Sequence, residues 1–342
     1  MAPLYESVPP KFYGGTERVV SILADGLVEL GHDVTLFASG DSVTRAKLVP
    51  VTQKSLRLDE HCVDQLAPHI LMVEKVFKDT SRFDLIHFHI DHLQLPYIRR
   101  HTIPTLSTFH GRLDIPDLVP LYKEFREVPF SSISNSQREP LPWLNWQGTV
   151  YHGLKSDAFQ FHPEHRGYLA FLGRISPEKG IESAVEIAKR TGMKLKIAAK
   201  ISEVDTKYFE EQVKHLFEDP IIEYIGEIPE TEKDTFIGNA FATLFPIAWP
   251  EPFGLVMIES MACGTPVVAF RRGSVSEVMV EEFSGHVVTN VEEAVRAIKK
   301  LESFDRRNCR RVFEERFLST RMTRDYVKIY ERLIHHAKET AA

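Results

Sequence analysis

The chain has 342 residues, of which 43% are hydrophobic and 26% charged, with a formal net charge of −6. This length exceeds the usual size of one hydrophobic core, so two domains are expected. The acidic balance argues against nucleic-acid binding, which needs a basic surface. The cysteines, Cys62, Cys263 and Cys309, are odd in number and far apart, which predicts no disulfide framework or C-x-x-C metal site and favours a reducing cytoplasm.

Short apolar strands alternate with helices along the chain. The first half predicts a helix at about 16–30, with its apolar face at Val19, Val20, Leu23, Leu27 and Leu30, and strands at 33–38, 84–90, 103–109, 129–134 and 148–151. The second half predicts strands near 168–172, 194–199, 221–225, 241–245, 266–270 and 285–288. The spacing of Ser274 and Glu277 is that of a capping box and predicts a helix start. This alternation is typical of an α/β protein with two doubly wound parallel sheets.

The polar segment 155–167 contains several histidines and Pro163 and is the predicted linker. No uncharged run reaches the roughly 20 apolar residues of a membrane helix, and the N-terminus has no signal-peptide core. We therefore expect a soluble, cytoplasmic protein and leave peripheral membrane contact open.

A glycine-bounded loop follows the predicted strand at 168–172. It reads Gly-Arg-Ile-Ser-Pro-Glu-Lys-Gly over residues 173–180, and an amphipathic helix comes next. Two cations, a turn and a helix N-terminus together make an anion site. The pattern predicts that Arg174 and Lys179 bind an anionic group.

Two carboxylates, Glu251 and Glu259, stand eight positions apart in apolar sequence. Burying a carboxylate such as Glu259 without partners costs several kcal/mol or more, so something must hydrogen-bond to it. Pro252 and Gly254 place Glu251 in a loop and Glu259 on the helix that follows. We expect both carboxylates to lie near a helix N-terminus that is suited to phosphates or hydroxyls.

The two motifs, in this order, resemble the G-R-x-x-x-x-K-G loop and the E-x7-E signature of retaining glycosyltransferases of family 4. The resemblance implies the GT-B fold, in which two Rossmann-like domains face each other across a cleft. It divides the chain into an N-terminal acceptor domain (1–155, with a returning C-terminal helix at 320–342) and a nucleotide-sugar donor domain (156–319).

The resemblance also implies the chemistry. A hexosyl unit would move from a UDP- or GDP-sugar to an unidentified small-molecule, saccharide or lipid-linked acceptor, without a metal or other cofactor. Arg174 and Lys179 would stabilise the departing diphosphate, and Glu251 would bind hydroxyls of the transferred sugar. Catalysis is assigned to Glu251 and His110, and donor binding to Gly15, Arg174, Lys179, Ile228, Phe253, Gly254, Leu255, Val256 and Glu259.

Several of these residues have a plainer interpretation that the sequence leaves open. Gly15 is either a loop approaching the diphosphate or an ordinary turn, and His110 is either a sugar contact or a structural residue at a strand end. Ile228 lies where the fold commonly binds the base, or in a simple turn. Trp249 is either a wall of the sugar pocket or part of the core.

Four other functions are alternatives to transfer. The same fold serves nucleotide-sugar epimerases and sugar phosphorylases. The run His87, His89, Asp91 and His92 matches a zinc-hydrolase signature, although the surrounding βαβ pattern is not that of such enzymes. A bilobal solute-binding protein would carry an export signal and no phosphate clamp.

The N-terminus departs from the family pattern. A buried strand is expected before the Gly14-Gly15 loop, but the sequence begins where this strand should be ending. Either the chain is truncated or the sheet does without this strand. We expect an unpaired ladder, reduced stability and an altered acceptor half.

Overall fold

The computed structural model describes residues 1–12 and 14–341, so Ala342 of the predicted C-terminal helix lies outside the described residues. The chain divides into two units. The first contains Met1–Gly153 and the segment from Ser319 onwards, and the second is Leu154–Leu318. No helix in the described part of the chain is both long enough and apolar enough to cross a bilayer.

The first unit is built on short parallel strands. Within its described residues, β1 pairs with β2, and β3 to β6 form a separate sheet in the order β3-β4-β5-β6. The strands are β1 (Thr35–Ala38), β2 (Lys47–Pro50), β3 (Ile86–Phe88), β4 (Thr105–Thr108), β5 (Phe130–Ser132) and β6 (Trp146–Thr149). The helices are α1 (Gly15–Glu29), α2 (Leu66–Phe77), α3 (Leu95–Ile98), α4 (Leu118–Glu124), α5 (Asn135–Arg138) and the last helix of the chain (Ser319–Ala341).

The first two residues connect these sheets. The backbone N–H of Ala2 donates to the Phe37 carbonyl in β1 at 3.0 Å. On the other side, the Met1 amino group donates to the His87 carbonyl at 2.9 Å, and the His89 N–H donates to the Met1 carbonyl at 3.2 Å. The ladder expected to be unpaired between β1 and β3 is therefore bridged at these residues.

The second unit, all of whose residues are described, has one six-stranded parallel sheet in the order β12-β11-β10-β7-β8-β9. Its strands are β7 (Tyr168–Arg174), β8 (Leu195–Lys200), β9 (Ile222–Gly226), β10 (Ala240–Phe245), β11 (Val267–Phe270) and β12 (Gly285–Val288). Its helices are α6 (Ile181–Thr191), α7 (Thr206–Tyr208), α8 (Glu230–Gly238), α9 (Leu255–Cys263), α10 (Val275–Val278), α11 (Val291–Lys300) and α12 (Arg306–Arg316), and the last helix of the chain is therefore α13.

Each unit has its own apolar core, as two domains require. In the first unit, α1 also packs on α13, and the two helices approach closely where Gly26 lies against Thr323. A side chain at residue 26 would collide with the threonine, so glycine permits this approach. The prediction of an α/β protein with parallel sheets in two Rossmann-like domains is confirmed.

Three local details differ from the sequence prediction. The helix predicted to start at Ser274 is present as α10, but the capping box is not, because the Ser274 hydroxyl donates to the Phe253 carbonyl at 2.9 Å rather than capping α10. Leu30 does not belong to the buried face of α1, since the helix ends at Glu29 and Leu30 is exposed. Strand β2 was missed because its residues are only half-buried and show no alternation.

Segment 155–167, predicted as a linker, lies within the second unit and is fixed to it. Arg306 donates from Nε to the His162 carbonyl at 2.7 Å, and Arg310 donates to the Phe159 carbonyl at 2.9 Å. Backbone carbonyls are thus paired by arginines of α12, so this segment is ordered by packing and hydrogen bonds.

Candidate active site

The predicted phosphate loop connects β7 to α6. After Arg174 the chain makes a 3₁₀ turn at Pro177–Lys179 and reaches Gly180 in the left-handed region, with φ 69°. A Cβ at residue 180 would collide with the Pro246 carbonyl oxygen, so only glycine fits this close approach. The loop is therefore fixed against the segment that follows β10.

Both cations of this loop are held by carboxylates. The Arg174 guanidinium is hydrogen-bonded to Glu178, and its Nε lies 3.3 Å from Asp205 Oδ2. Burial raises the pKa of Glu178, but its own backbone amide and Arg174 outweigh this and lower it overall. Burial raises the pKa of Asp205 despite the nearby guanidinium. Arg174 is thus oriented by two acidic side chains.

Lys179 reaches across to the first glutamate of the pair. Its Nζ lies 2.6 Å from Glu251 Oε2, and the Trp249 indole N–H donates to the same oxygen at 2.9 Å. The ammonium also lies 5.4 Å from the centroid of the Trp249 ring. Trp249, left open by the sequence, therefore orients Glu251, which is only 9% exposed.

The backbone around Glu251 is equally constrained. The Ser274 N–H donates to the Glu251 carbonyl at 2.9 Å. Gly254 caps the start of α9 with φ 80°, and a Cβ there would press on the Phe245 ring. Phe253, Gly254, Leu255 and Val256 therefore bring the chain into the first turn of α9, where backbone N–H groups have no partner within the helix.

Glu259 lies further along α9 and is 2% exposed. Its Oε1 is 3.8 Å from Nζ of Lys233, which comes from α8. Lys233 was not identified from the sequence, although a signal was present: it precedes Phe236 and Ile237 at helical spacing and so shares their buried face. Ile228, also buried, lies in the connection between β9 and α8.

In the first unit, His110 follows β4 and is half-buried beside the buried histidines His89 and His152. Its Nε2 is 2.8 Å from Nδ1 of His89, and its ring stacks on His152 with the centroids 5.4 Å apart. Burial lowers the pKa of His110 to about 3 and the pKa of His89 and His152 well below the ordinary value. These imidazoles are therefore neutral near pH 7.

The zinc-hydrolase alternative has no geometric basis. His87 is hydrogen-bonded through Nδ1 to the Tyr330 hydroxyl and through Nε2 to Thr108 Oγ1, both at 2.7 Å. Among the described residues, no three histidine, cysteine or acidic side chains are grouped so as to hold a metal ion. His89 is hydrogen-bonded to His110, so His87, His89, Asp91 and His92 do not form the expected ligand set.

Gly15 is the first residue of α1. Nine positions before it, Glu6 forms an ion pair with Arg57. Glu17, in the first turn of α1, is 5% exposed, and burial raises the pKa of its carboxyl to about 7. Nothing in the sequence indicated that Glu17 would be buried, because an acidic residue in a first helical turn is ordinary.

The comparisons with known proteins agree with this architecture. The family profile described as "Glycosyl transferases group 1" matches residues 155–316, and that described as "Glycosyltransferase Family 4" matches residues 13–146. The two matches span both units and define the class of protein: the chain belongs to glycosyltransferase family 4 and is a glycosyltransferase.

Individual relatives are distant. An uncharacterised glycosyltransferase of Methanocaldococcus jannaschii is 24% identical over 81% of this chain and 82% of its own. N-acetyl-α-D-glucosaminyl L-malate synthase of Bacillus anthracis is 22% identical over 93% of each chain. Both similarities extend through most of the sequence.

Solved structures share the GT-B fold. AviGT4, a glycosyltransferase involved in avilamycin A biosynthesis, gives a TM-score of 0.72 at 24% identity, covering 96% of this chain and 93% of its own. HepE of Anabaena, solved with UDP and glucose, gives 0.70 at 16% identity, covering 92% and 95%.

Proposed function

We propose that this glycosyltransferase moves a hexosyl unit from a UDP- or GDP-sugar to an acceptor hydroxyl, with retention of configuration and without a metal. The acceptor is a small molecule, a saccharide or a lipid-linked sugar. The observation that carries the proposal is a set of ion pairs in the second unit, which we call the charged cluster. It comprises Arg174 with Asp205, Lys179 with Glu251, and Lys233 with Glu259.

The cations of the loop fit an anionic leaving group. Arg174 and Lys179 lie in one short loop before α6, and fixed charges act on developing negative charge without reorganisation. A bound diphosphate would take over hydrogen bonds that Arg174 now makes to Glu178 and that Lys179 makes to Glu251. The diphosphate would thus replace these carboxylates as the partner of both cations.

The carboxylates fit the hydroxyls of the donor. Glu251, whose Oε2 accepts a hydrogen bond from the Trp249 indole, is proposed to bind the transferred sugar and to support its oxocarbenium-like state. Glu259 is proposed to accept hydrogen bonds from the ribose hydroxyls. Backbone N–H groups at the start of α9 would hold the phosphates, because they have no partner within the helix and the helix dipole favours negative charge there.

In the first unit, Gly15 and His110 are proposed substrate contacts. His110 would act as a neutral hydrogen-bonding group, since burial lowers its pKa to about 3. HepE was solved with UDP and glucose, which makes UDP-glucose the first donor to screen. The cytoplasm is the proposed compartment, supported by three cysteines that are all free.

The test is donor turnover. The wild-type protein is incubated with a panel of UDP- and GDP-sugars in EDTA, with and without a mixture of acceptors, and released nucleotide diphosphate is quantified. We expect release from one donor class and an NMR spectrum showing that the product keeps the anomeric configuration of the donor. Arg174→Ala and Glu259→Ala should abolish release. Arg190→Ala and Glu232→Ala, matched substitutions at exposed positions, should leave it unchanged.

Other products would identify the alternatives. An isomerised nucleotide sugar, or free nucleotide sugar converted without an acceptor, would indicate an epimerase. Strict dependence on inorganic phosphate would indicate a sugar phosphorylase. Loss of all turnover in EDTA, restored by a divalent cation, would contradict the metal-independent mechanism.

A further inference from the structure

Lys233 is a buried cation for which the proposed function gives no contact with the donor. It is 7% exposed on the inner face of α8, although lysine is almost never buried unless it is paired. A helix that merely covered the sheet would carry an apolar side chain here, as it does at Phe236 and Ile237. The lysine therefore needs an explanation in terms of the charges around it.

Two carboxylates face this lysine. Nζ lies 2.8 Å from Glu230 Oε2, one turn earlier on the same helix, and 3.8 Å from Glu259 Oε1 on α9. The Glu230 side chain is 38% exposed and well solvated, whereas that of Glu259 is 3% exposed. Glu230 is thus the partly exposed partner of the ammonium, and Glu259 is its buried partner.

We propose that Lys233 is a positioning residue that keeps Glu259 charged and aimed for the two ribose hydroxyls of the donor nucleotide. The inference rests on the proposed function, which makes Glu259 the ribose acceptor. Burial disfavours the charged form of a carboxyl, and a nearby cation reverses that preference. An ionised acceptor makes stronger hydrogen bonds than a neutral one.

The length of the contact matters. At 3.8 Å the ammonium is too far to donate a hydrogen bond to Oε1, so Lys233 contributes charge without itself hydrogen-bonding that oxygen. In the other pair of this site, Lys179 Nζ is within hydrogen-bond distance of Glu251, at 2.6 Å. Lys179 therefore has to exchange partners when a diphosphate binds, whereas Lys233 supports Glu259 without moving.

The experiment compares nucleotides that differ only at the ribose. UDP, GDP and ADP are titrated calorimetrically into the full-length wild type, and the one that binds is compared with its 2′,3′-dideoxy form. Lys233→Met, which keeps the volume and removes the charge, should weaken the hydroxyl-bearing nucleotide about tenfold. It should weaken the dideoxy form by less than about twofold, because the lost interaction is absent there.

Controls separate charge from packing. Lys233→Arg keeps the cation and should bring affinity for the hydroxyl-bearing nucleotide back to within about threefold of wild type. Glu232→Gln, at an exposed position of the same helix, should change neither affinity. If Lys233→Met does not fold, as judged by its melting curve, Lys233→Gln takes its place with the same expectation.

Two results would overturn the inference, and they are distinguishable. An equal loss of affinity for the hydroxyl-bearing and dideoxy nucleotides, or no loss for either, means that Lys233 does not act through the ribose hydroxyls, while the proposed function stands. No binding of any nucleotide to folded wild-type protein overturns the proposed function and this inference together.

Discussion

The candidate site in residues 154–318 is built from charged side chains, whereas the one in residues 1–153 contains neutral imidazoles. In the second unit, Lys179 pairs with Glu251 and Lys233 with Glu259. In the first unit, His89 and His110 form a hydrogen bond, and burial lowers the pKa of both. Under the proposed function, the charged cluster would bind the donor, and the neutral imidazoles would contact substrate hydroxyls.

Buried carboxylates of the two units also differ in their surroundings. Glu259 is accompanied by a lysine, and Glu17, in the first unit, is buried with a carboxyl pKa raised to about 7. Burial raises the free energy of a charged carboxyl unless a partner offsets it. The following predictions, in order of decreasing effect, test whether the two units differ in this way.

Removing the charge of Lys179 from the predicted phosphate loop should have the largest effect. Lys179→Ala eliminates a charge proposed to face the leaving diphosphate and is expected to slow donor turnover by about a hundredfold to a thousandfold. Release of nucleotide diphosphate measures it. Lys299→Ala, at an exposed lysine of α11, is the matched control. An equally small change of the turnover rate in both variants would mean that Lys179 does not contact the leaving diphosphate.

Glu17→Gln should stabilise the protein in a pH-dependent way. The folded-state pKa of about 7 lies above the ordinary glutamate value of 4.5, so wild-type stability is lost as the pH rises from 4.5 through 7. Glutamine cannot ionise, so the variant should gain up to about 3 kcal/mol over wild type at pH 8 and little at pH 4.5.

Melting temperatures measured across this range test the prediction for Glu17. Glu29→Gln, in the exposed ion pair with Arg45 near the end of α1, serves as the control and should show no such trend. If the melting temperatures of wild type and Glu17→Gln changed in parallel with pH, the pKa of Glu17 would not be raised in the folded protein.

Breaking the histidine pair should have a smaller effect, confined to transfer. His89→Ala removes the hydrogen bond to His110 and is expected to lower the transfer rate about tenfold. Nucleotide affinity, assigned to residues 154–318, should stay within about twofold. His61→Ala, at an exposed histidine, is the control. If His89→Ala lowered nucleotide affinity as much as it lowered the transfer rate, the two units would not have separate roles.

The smallest expected effect is that of pH on His110. Because its pKa is about 3, the imidazole stays neutral from pH 5 to 8, so the ratio of wild-type to His110→Gln transfer rates should be constant over that range. A ratio that changes with an apparent pKa near 6.5 would show that His110 is charged during the reaction.

Much of this architecture could be predicted from the sequence, because it depends on local patterns. Strands of the second unit were predicted within a residue or two, since each is a short apolar run bounded by turns. The predicted phosphate loop was recognisable from its glycines at both ends and its two cations, and the close approach of Gly180 to the Pro246 carbonyl explains the second glycine. The assignments of site residues to donor and sugar remain predictions.

What the sequence missed depends on contacts between distant residues. His89 and His110 are 21 positions apart and meet only because β3 pairs with β4. The hydroxyl of Ser274 was expected to cap its own helix but bonds to Phe253 instead, a competition that only the folded chain decides. Lys233 looked like an ordinary helical lysine until its burial beside Glu259 was known.

The most direct test of the central claim, that the charged cluster of residues 154–318 is a nucleotide-diphosphate site, is calorimetric titration with UDP, GDP and ADP. The account predicts that one of them binds the wild type, more weakly in higher salt, and that Arg174→Ala and Glu259→Ala each weaken it while Arg190→Ala does not. Absence of binding by all three nucleotides to a folded sample, or binding that both substitutions leave unchanged, would contradict it.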